Sequence, residues 1–205
     1  MKANLSSQIT LNRISPKYYK PENAFERSAL TRFEKIPTDI YQSAEEGARH
    51  IAQEIARIIR DKQKKSATCV LALPGGNSPR NVYNELIRIH RKEHLSFHNV
   101  AVFNLYEYYP LAPDAVNSNF NDLKKAFLEH VNIDIQNVFT PDGTIPKDDI
   151  LEHCRLYEQC IESFGGIDVV LLGIGEVGNI AFNEPGSRSN STTRLILLDN
   201  DSRNH

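Results

Sequence analysis

The 205-residue chain has no apolar run near the roughly 20 residues that cross a bilayer, which argues against a membrane partner. Its N-terminus, Met1-Lys2-Ala3-Asn4-Leu5, lacks an apolar core of secretory length. Cysteine is scarce. Cys69, Cys154 and Cys160 form no Cys-x-x-Cys pair, so a thiolate zinc site is excluded and reduced thiols in a cytoplasm are expected. Basic surplus is also missing: 24 Lys plus Arg face 26 Asp plus Glu, for a net charge of −2. A dedicated nucleic-acid binder usually carries the opposite balance. No internal repeat or low-complexity tract is present, and no Gly-Lys-Ser/Thr follows a glycine turn as a Walker loop requires.

What remains is ordinary for a soluble globular protein: 40% hydrophobic and 24% charged residues, with enough length to bury a core. Residues 1–38 scatter Tyr18, Tyr19, Phe25 and Phe33 among polar residues without a period and read as an irregular extension. Residues 39–205 read as the folded domain. Ser43 and Glu46 make a capping-box pattern, and Ile51, Ile55, Ile58 and Ile59 recur at helical spacing to about Lys64. Cys69–Leu73 is a strand, a helix starts near Ser78–Pro79, and Val100–Phe103 is the next strand. Phe120 to Val131 and Ile150 to Phe164 mark two more helices, the second stopped by Gly165-Gly166. Ile167–Leu172 reads as a strand buried on both faces and Leu195–Leu198 as a last strand. Alternating strands and helices predict a mainly parallel sheet. No helix follows Leu198 to cover that strand, so the fold is expected to continue beyond His205.

Four segments carry chemistry. Leu73-Pro74-Gly75-Gly76-Asn77-Ser78-Pro79 joins a buried strand to a helix N-terminus, where free amides and the helix dipole favour an anion. Gly75, Gly76, Asn77 and Ser78 are therefore candidate phosphate-binding residues, set against a turn that merely needs glycine and a cap. Phe103–Pro110 ends a strand, with Glu107 as a candidate base and Tyr106 as a hydrogen-bond donor. Gly173-Ile174-Gly175-Glu176-Val177-Gly178 matches the dinucleotide fingerprint and has Asp199 about 20 residues on. Pro185-Gly186-Ser187 and Ser189-Asn190-Ser191 interrupt the crossover helix that this reading needs. In the fourth segment, Asn179–Ser187, Glu184 lies in a loop past a strand end. His90, His94 and His98 are four apart, but the helix ends between them, so no metal is expected. The basic stretch from Arg57 to Lys65 reads as a solvated helix face.

The Pro-Gly-Gly turn, the Phe-Asn…Glu-Tyr strand end, the Gly-x-Gly strand end and Ile180-Ala181-Phe182-Asn183-Glu184-Pro185 occur in this order. Together, from about Ile40 onward, they resemble the glucosamine-6-phosphate deaminase/isomerase family. Ala181–Pro185 is the most specific stretch and is absent from the related 6-phosphogluconolactonases. The resemblance implies a Rossmann-like three-layer α/β/α sandwich and conversion of glucosamine 6-phosphate to fructose 6-phosphate and ammonia. It implies a sugar-phosphate ligand, no cofactor, a cytoplasmic location and room for self-association into a homo-oligomer.

Residue by residue, Glu184 matches the loop glutamate that supports a ring-opening histidine, and Glu107 matches a strand-end glutamate. The turn is one residue longer than the family's Thr-Gly-Gly-Thr-Pro. Three positions depart. Tyr106 stands where the family has its proton-abstracting aspartate, Val177 replaces a second aspartate, and Asn179 replaces the ring-opening histidine. Neither Asn nor Val moves a proton near neutral pH. The resemblance thus implies either turnover by substitute groups, with Glu107, Glu176 or Tyr106 taking over, or a module that binds the phosphosugar without turning it over.

Overall fold

The computed structural model describes residues 22–32, 36–175, 178–184 and 186–198. The chain divides into two compact units, Met1–His50 and Ile51–His205. In the first, Asn23 caps helix α1 (Ala24–Thr31) by accepting the Glu26 N–H at 2.9 Å. Glu26 in turn accepts from the backbone N–H of Glu22. The aperiodic reading of 1–38 did not anticipate this helix. Helix α2 (Ala44–Lys64) begins in the same unit, where Ser43 accepts the Glu46 N–H at 3.1 Å. The Glu46 carboxylate reaches back to Gln42, one residue before the position of a standard capping box.

The second unit is built on a four-stranded sheet of β1 (Cys69–Leu73), β2 (Val100–Asn104), β3 (Val138–Phe139) and β4 (Val169–Val170). Its spatial order is β3-β2-β1-β4, and every pairing is parallel. This is the expected α/β class. Parallel pairing demands crossovers, here α3 (Arg80–Glu93), α4 (Asn119–Ala126) and α5 (Ile150–Ser163). β1 and β2 are fully buried central strands. Alternation sends Val70, Ala72 and Phe103 to one face, where they pack with Tyr157 of α5. Phe103 stacks on Phe139 at 4.7 Å and meets Tyr157 and Phe164 edge-on. The complementary residues Leu71, Leu73 and Val102 face the other way, and are equally buried.

Polar ties lock the strand order. Asp168 accepts the Val70 N–H at 2.9 Å and pairs with Lys62 at 2.7 Å, fastening β4 to β1 and to the end of α2. The Tyr157 hydroxyl donates to the Asn104 carbonyl at 2.8 Å. Two sequence expectations need correction. The strand expected over 167–172, buried on both faces, is paired only at Val169–Val170, and Val170 and Leu172 are 44% and 46% exposed. As the last strand in the order, β4 has a single neighbour among the described residues and only one edge satisfied. The strand expected at Leu195–Leu198 is not formed. Its apolar residues have β propensity, but no ladder partner meets them among the described residues, and Leu197 is 83% exposed. Residues 199–205, including Asp199, lie outside the described residues.

Candidate functional site

The turn after β1 is shaped by contacts of its own. Tyr83 of α3 donates its hydroxyl to the Pro74 carbonyl at 2.6 Å, which fixes the turn's entry. A β-carbon at Gly75 would lie 2.5 Å from the Asn119 carbonyl oxygen, so glycine is required there by close approach to α4. Gly76 has φ +96 and faces open space, the conformation that favours glycine. The anion-cradle expectation meets a competitor: Asp122 of α4 accepts the Gly76 N–H at 2.7 Å and pairs with Arg80. Arg80 also donates to the Asn77 side chain at 3.0 Å. A protein carboxylate thus already holds the Gly76 amide. Pro79 is the N-cap of α3 rather than its first helical residue, and it makes no side-chain cap hydrogen bond.

The strand end after β2 divides its two candidates. The Glu107 carboxylate accepts four hydrogen bonds: from the Tyr108 N–H at 2.9 Å, the Ser118 hydroxyl at 2.8 Å, and the N–H groups of Asn119 and Phe120 at 3.0 and 2.9 Å. The last two belong to the first turn of α4, where helix donors lack internal partners and negative charge is favoured. Glu107 is therefore bound up in capping α4. Tyr106 is half-buried, its ring 4.4 Å from Phe182 and edge-on to it. Burial, and secondarily the neighbouring Tyr108, pushes its phenol up to about 12. Tyr108 also approaches Phe182, at 5.4 Å.

On either side of the glycine-rich stretch after β4, the described residues pair antiparallel and enter no helix. Ile174 bridges Ile180, the Gly175 N–H donates to the Asn179 carbonyl at 2.8 Å, and no helix follows among the described residues. The dinucleotide reading therefore lacks the helix N-terminus that would face a pyrophosphate. The Asn179 side chain donates to the Ala181 carbonyl at 3.0 Å, a local backbone bond. The Glu184 carbonyl accepts from the Ser187 N–H and hydroxyl, closing the loop. Glu176, Val177 and Pro185 lie outside the described residues. Of the histidine trio, His90 turns Nδ1 to the Leu95 carbonyl at 2.6 Å, and His94 ends α3 in a left-handed conformation.

The structure gathers part of this set around one cavity of about 690 Å³. Tyr106, Glu107 and Tyr108 after β2, Asp142 after β3, and Phe182 and Asn183 after β4 line it. The C-terminal ends of parallel strands are where open α/β sheets bind ligands, and the volume suits a small organic molecule. Gly75–Ser78, Asn179 and Glu184 do not line it. Asp142, His153 and Arg194 are among the wall residues that the sequence does not signal. Arg194 donates to Asn183 at 2.8 Å and to Ser187 at 2.9 Å, bringing a guanidinium to the Phe-Asn-Glu run. His153 accepts the Asp142 N–H through Nε2 at 2.9 Å. The segment that carries Arg194 is tied to α5, since Thr193 donates its N–H and hydroxyl to Glu158, both at 2.6 Å. An Arg 11 residues past Asn183, across a polar loop, offers no periodic signal.

A cavity at the strand ends, walled by aromatics and the Arg194 guanidinium, marks the candidate site of this α/β protein. The chain belongs to the family of glucosamine-6-phosphate isomerases and 6-phosphogluconolactonases, whose profile matches residues 42–204. A glucosamine-6-phosphate deaminase-like protein of Bacteroides thetaiotaomicron is 75% identical over 204 residues, covering 100% of this chain and 31% of that protein. Glucosamine-6-phosphate deaminase 1 of Bacillus subtilis is 39% identical over 153 residues, covering 75% of this chain and 62% of that one. The chain thus spans less than two thirds of these relatives. A solved monomeric glucosamine-6-phosphate deaminase superposes with a TM-score of 0.74 at 37% identity, over 80% of this chain and 66% of that one. A 6-phosphogluconolactonase from Thermotoga maritima, at TM-score 0.57 and 24% identity, shares the Rossmann-like fold.

Proposed function

We propose that the strand-end cavity binds an amino-sugar phosphate such as glucosamine 6-phosphate, and that this chain does not carry out the proton transfers of classical deamination. The observation that carries the reading is Tyr106. It stands where the family resemblance puts a proton-abstracting aspartate, yet burial holds its phenol at about 12, so it stays protonated at neutral pH. A protonated phenol donates a hydrogen bond and abstracts nothing. Glu107, which shares the wall with the Asp142 carboxylate, is committed to four donors at the head of α4. Asn179 replaces the ring-opening histidine with a group that does not titrate. Each lost acid–base step is worth about 100- to 10,000-fold in rate.

Binding is better supplied. The rings of Tyr106, Tyr108 and Phe182 offer an apolar wall for a sugar face, and the Arg194 guanidinium offers the phosphate its charge and the N–H donors that Asn183, Ser187 and Thr192 do not take. All of these come from one chain, so the reading needs no second copy, although the sequence leaves room for self-association. It needs no cofactor, and it places the protein in the cytoplasm, where thiols stay reduced. A second reading, turnover by substitute groups, is favoured by the identity to the Bacillus deaminase and by the matching Glu184. Incubation with glucosamine 6-phosphate, read both by ammonia release and by calorimetry, separates the two. Saturable binding without ammonia supports the proposal. Ammonia release abolished by Glu184→Gln establishes the second reading instead.

A further inference from the structure

A second concave site lies along α3 and α4, outside the strand-end cavity. Arg80, Asn84, Ile87 and Arg91 are spaced four, three and four residues apart, which puts them in one row along α3. With Lys125 and Ala126 of α4 and His130 of the following short 3₁₀ turn, they line a cavity of about 330 Å³. No carboxylate lines it. Arg80 is paired with Asp122. Arg91 and Lys125 are exposed and have no ion-pair partner among the described residues.

Several other basic side chains of the unit are compensated, whereas Arg91 and Lys125 share one hollow without a carboxylate. Arg57, Arg60, Arg88 and Arg155 each pair with a carboxylate. Lys62 and Lys64 do so as well. Leaving two cations uncompensated in one hollow is unfavourable for the empty protein and favourable for an anion that enters. Ile87 is buried and gives the hollow an apolar floor, and Asn84 adds an amide beside it. A charged rim over a small apolar floor, in a volume at the lower end of ligand sites, matches one small phosphorylated molecule. A polyanion track would need a longer run of unpaired cations than this chain, net −2 overall, displays here.

We propose that the α3–α4 hollow is a binding site for a small phosphorylated anion, held by Arg91 and Lys125 and distinct from the strand-end cavity. Inorganic pyrophosphate is the probe, titrated by calorimetry into the protein, into R91Q and K125Q, and into R194Q as a control for the other cavity. Arg91 and Lys125 are exposed, and both variants should unfold at the parent temperature. The expected result is a saturable site weakened at least tenfold by R91Q and by K125Q and retained in R194Q. Heat that never saturates, or a site insensitive to both R91Q and K125Q, overturns the proposal. So does tighter binding of a thymidine 20-mer than of pyrophosphate at several copies of protein per strand, which would mark the hollow as part of a nucleic-acid surface.

Discussion

Glu107→Gln separates a structural carboxylate from a catalytic one. The Glu107 side chain accepts from Ser118 Oγ and from three backbone N–H groups, two of them in the first turn of α4. A hydrogen bond to a charged group contributes about 1.5–3 kcal/mol, but losses within one cluster do not add. Glutamine keeps one acceptor oxygen, turns an NH2 toward donors and removes the charge that the helix N-terminus favours. We expect a loss of about 2 kcal/mol for the amide and about 4 kcal/mol for Glu107→Ala, which leaves all four donors unmet. With a urea slope of about 2 kcal/mol per M, the glutamine variant unfolds about 1 M earlier. The assay is equilibrium urea denaturation followed by far-ultraviolet circular dichroism, with the slope compared between variants. A midpoint within about 0.2 M of the parent would refute the reasoning, because a carboxylate that caps a helix cannot be neutralised without cost.

Other consequences can be checked alongside. Phe103→Ala should cost about 3–5 kcal/mol, because Phe103 is fully buried and touches the rings of Phe139, Tyr157 and Phe164; a urea midpoint shift of less than half that would mean the cluster repacks. Burial raises the Cys69 thiol to about 12 and also raises Cys154 and Cys160, but these two are only half-buried, so iodoacetamide at alkaline pH should label Cys154 and Cys160 slowly in the native protein and reach Cys69 only after urea is added; mass mapping of the alkylated peptides decides. The Asp142 carboxyl is held below its ordinary value, first by the Thr144 hydroxyl and then by the Thr144 N–H. A depressed folded-state value gives stability that is present above the ordinary 3.8 and is lost as pH falls through the lower folded value. The stability difference between the parent and Asp142→Asn should therefore shrink as urea midpoints are followed from about pH 6 to below about pH 3.

Much of the fold was legible because its signals are local. Ser43 and Glu46 announced α2, the five apolar residues Cys69–Leu73 announced β1, and Gly165-Gly166 marked the end of α5. Helix α1 carried a readable signal in Asn23 and Glu26, a cap and its third-position acid, but its eight residues lack an apolar stripe. β3 is two residues long, below the length at which alternation can be seen. The misread strand at Leu195–Leu198 shows the limit of propensity, since a strand exists only with a neighbour to pair. The site was legible by residue type and order, not by role. Glu107 was readable as a candidate base, while its hydrogen bonds to Ser118–Phe120 at the head of α4 span 11–13 residues of sequence and carry no local signal. Asp122 was invisible as the partner of Gly76, because the pair is 46 residues apart. Arg194 sits in a polar segment without a period, and its place on the cavity wall follows from the Thr193–Glu158 tie.

The central claim is that recognition of the phosphosugar persists without its chemistry. Calorimetric titration with glucosamine 6-phosphate of the parent, Phe182→Ala and Arg194→Gln, with ammonia measured in the same cells afterwards, tests it most directly. The account predicts one saturable site in the parent, at least tenfold weaker in both variants, and ammonia no higher than in buffer alone. Ammonia accumulating in the parent cell, or no saturable binding there, would contradict it.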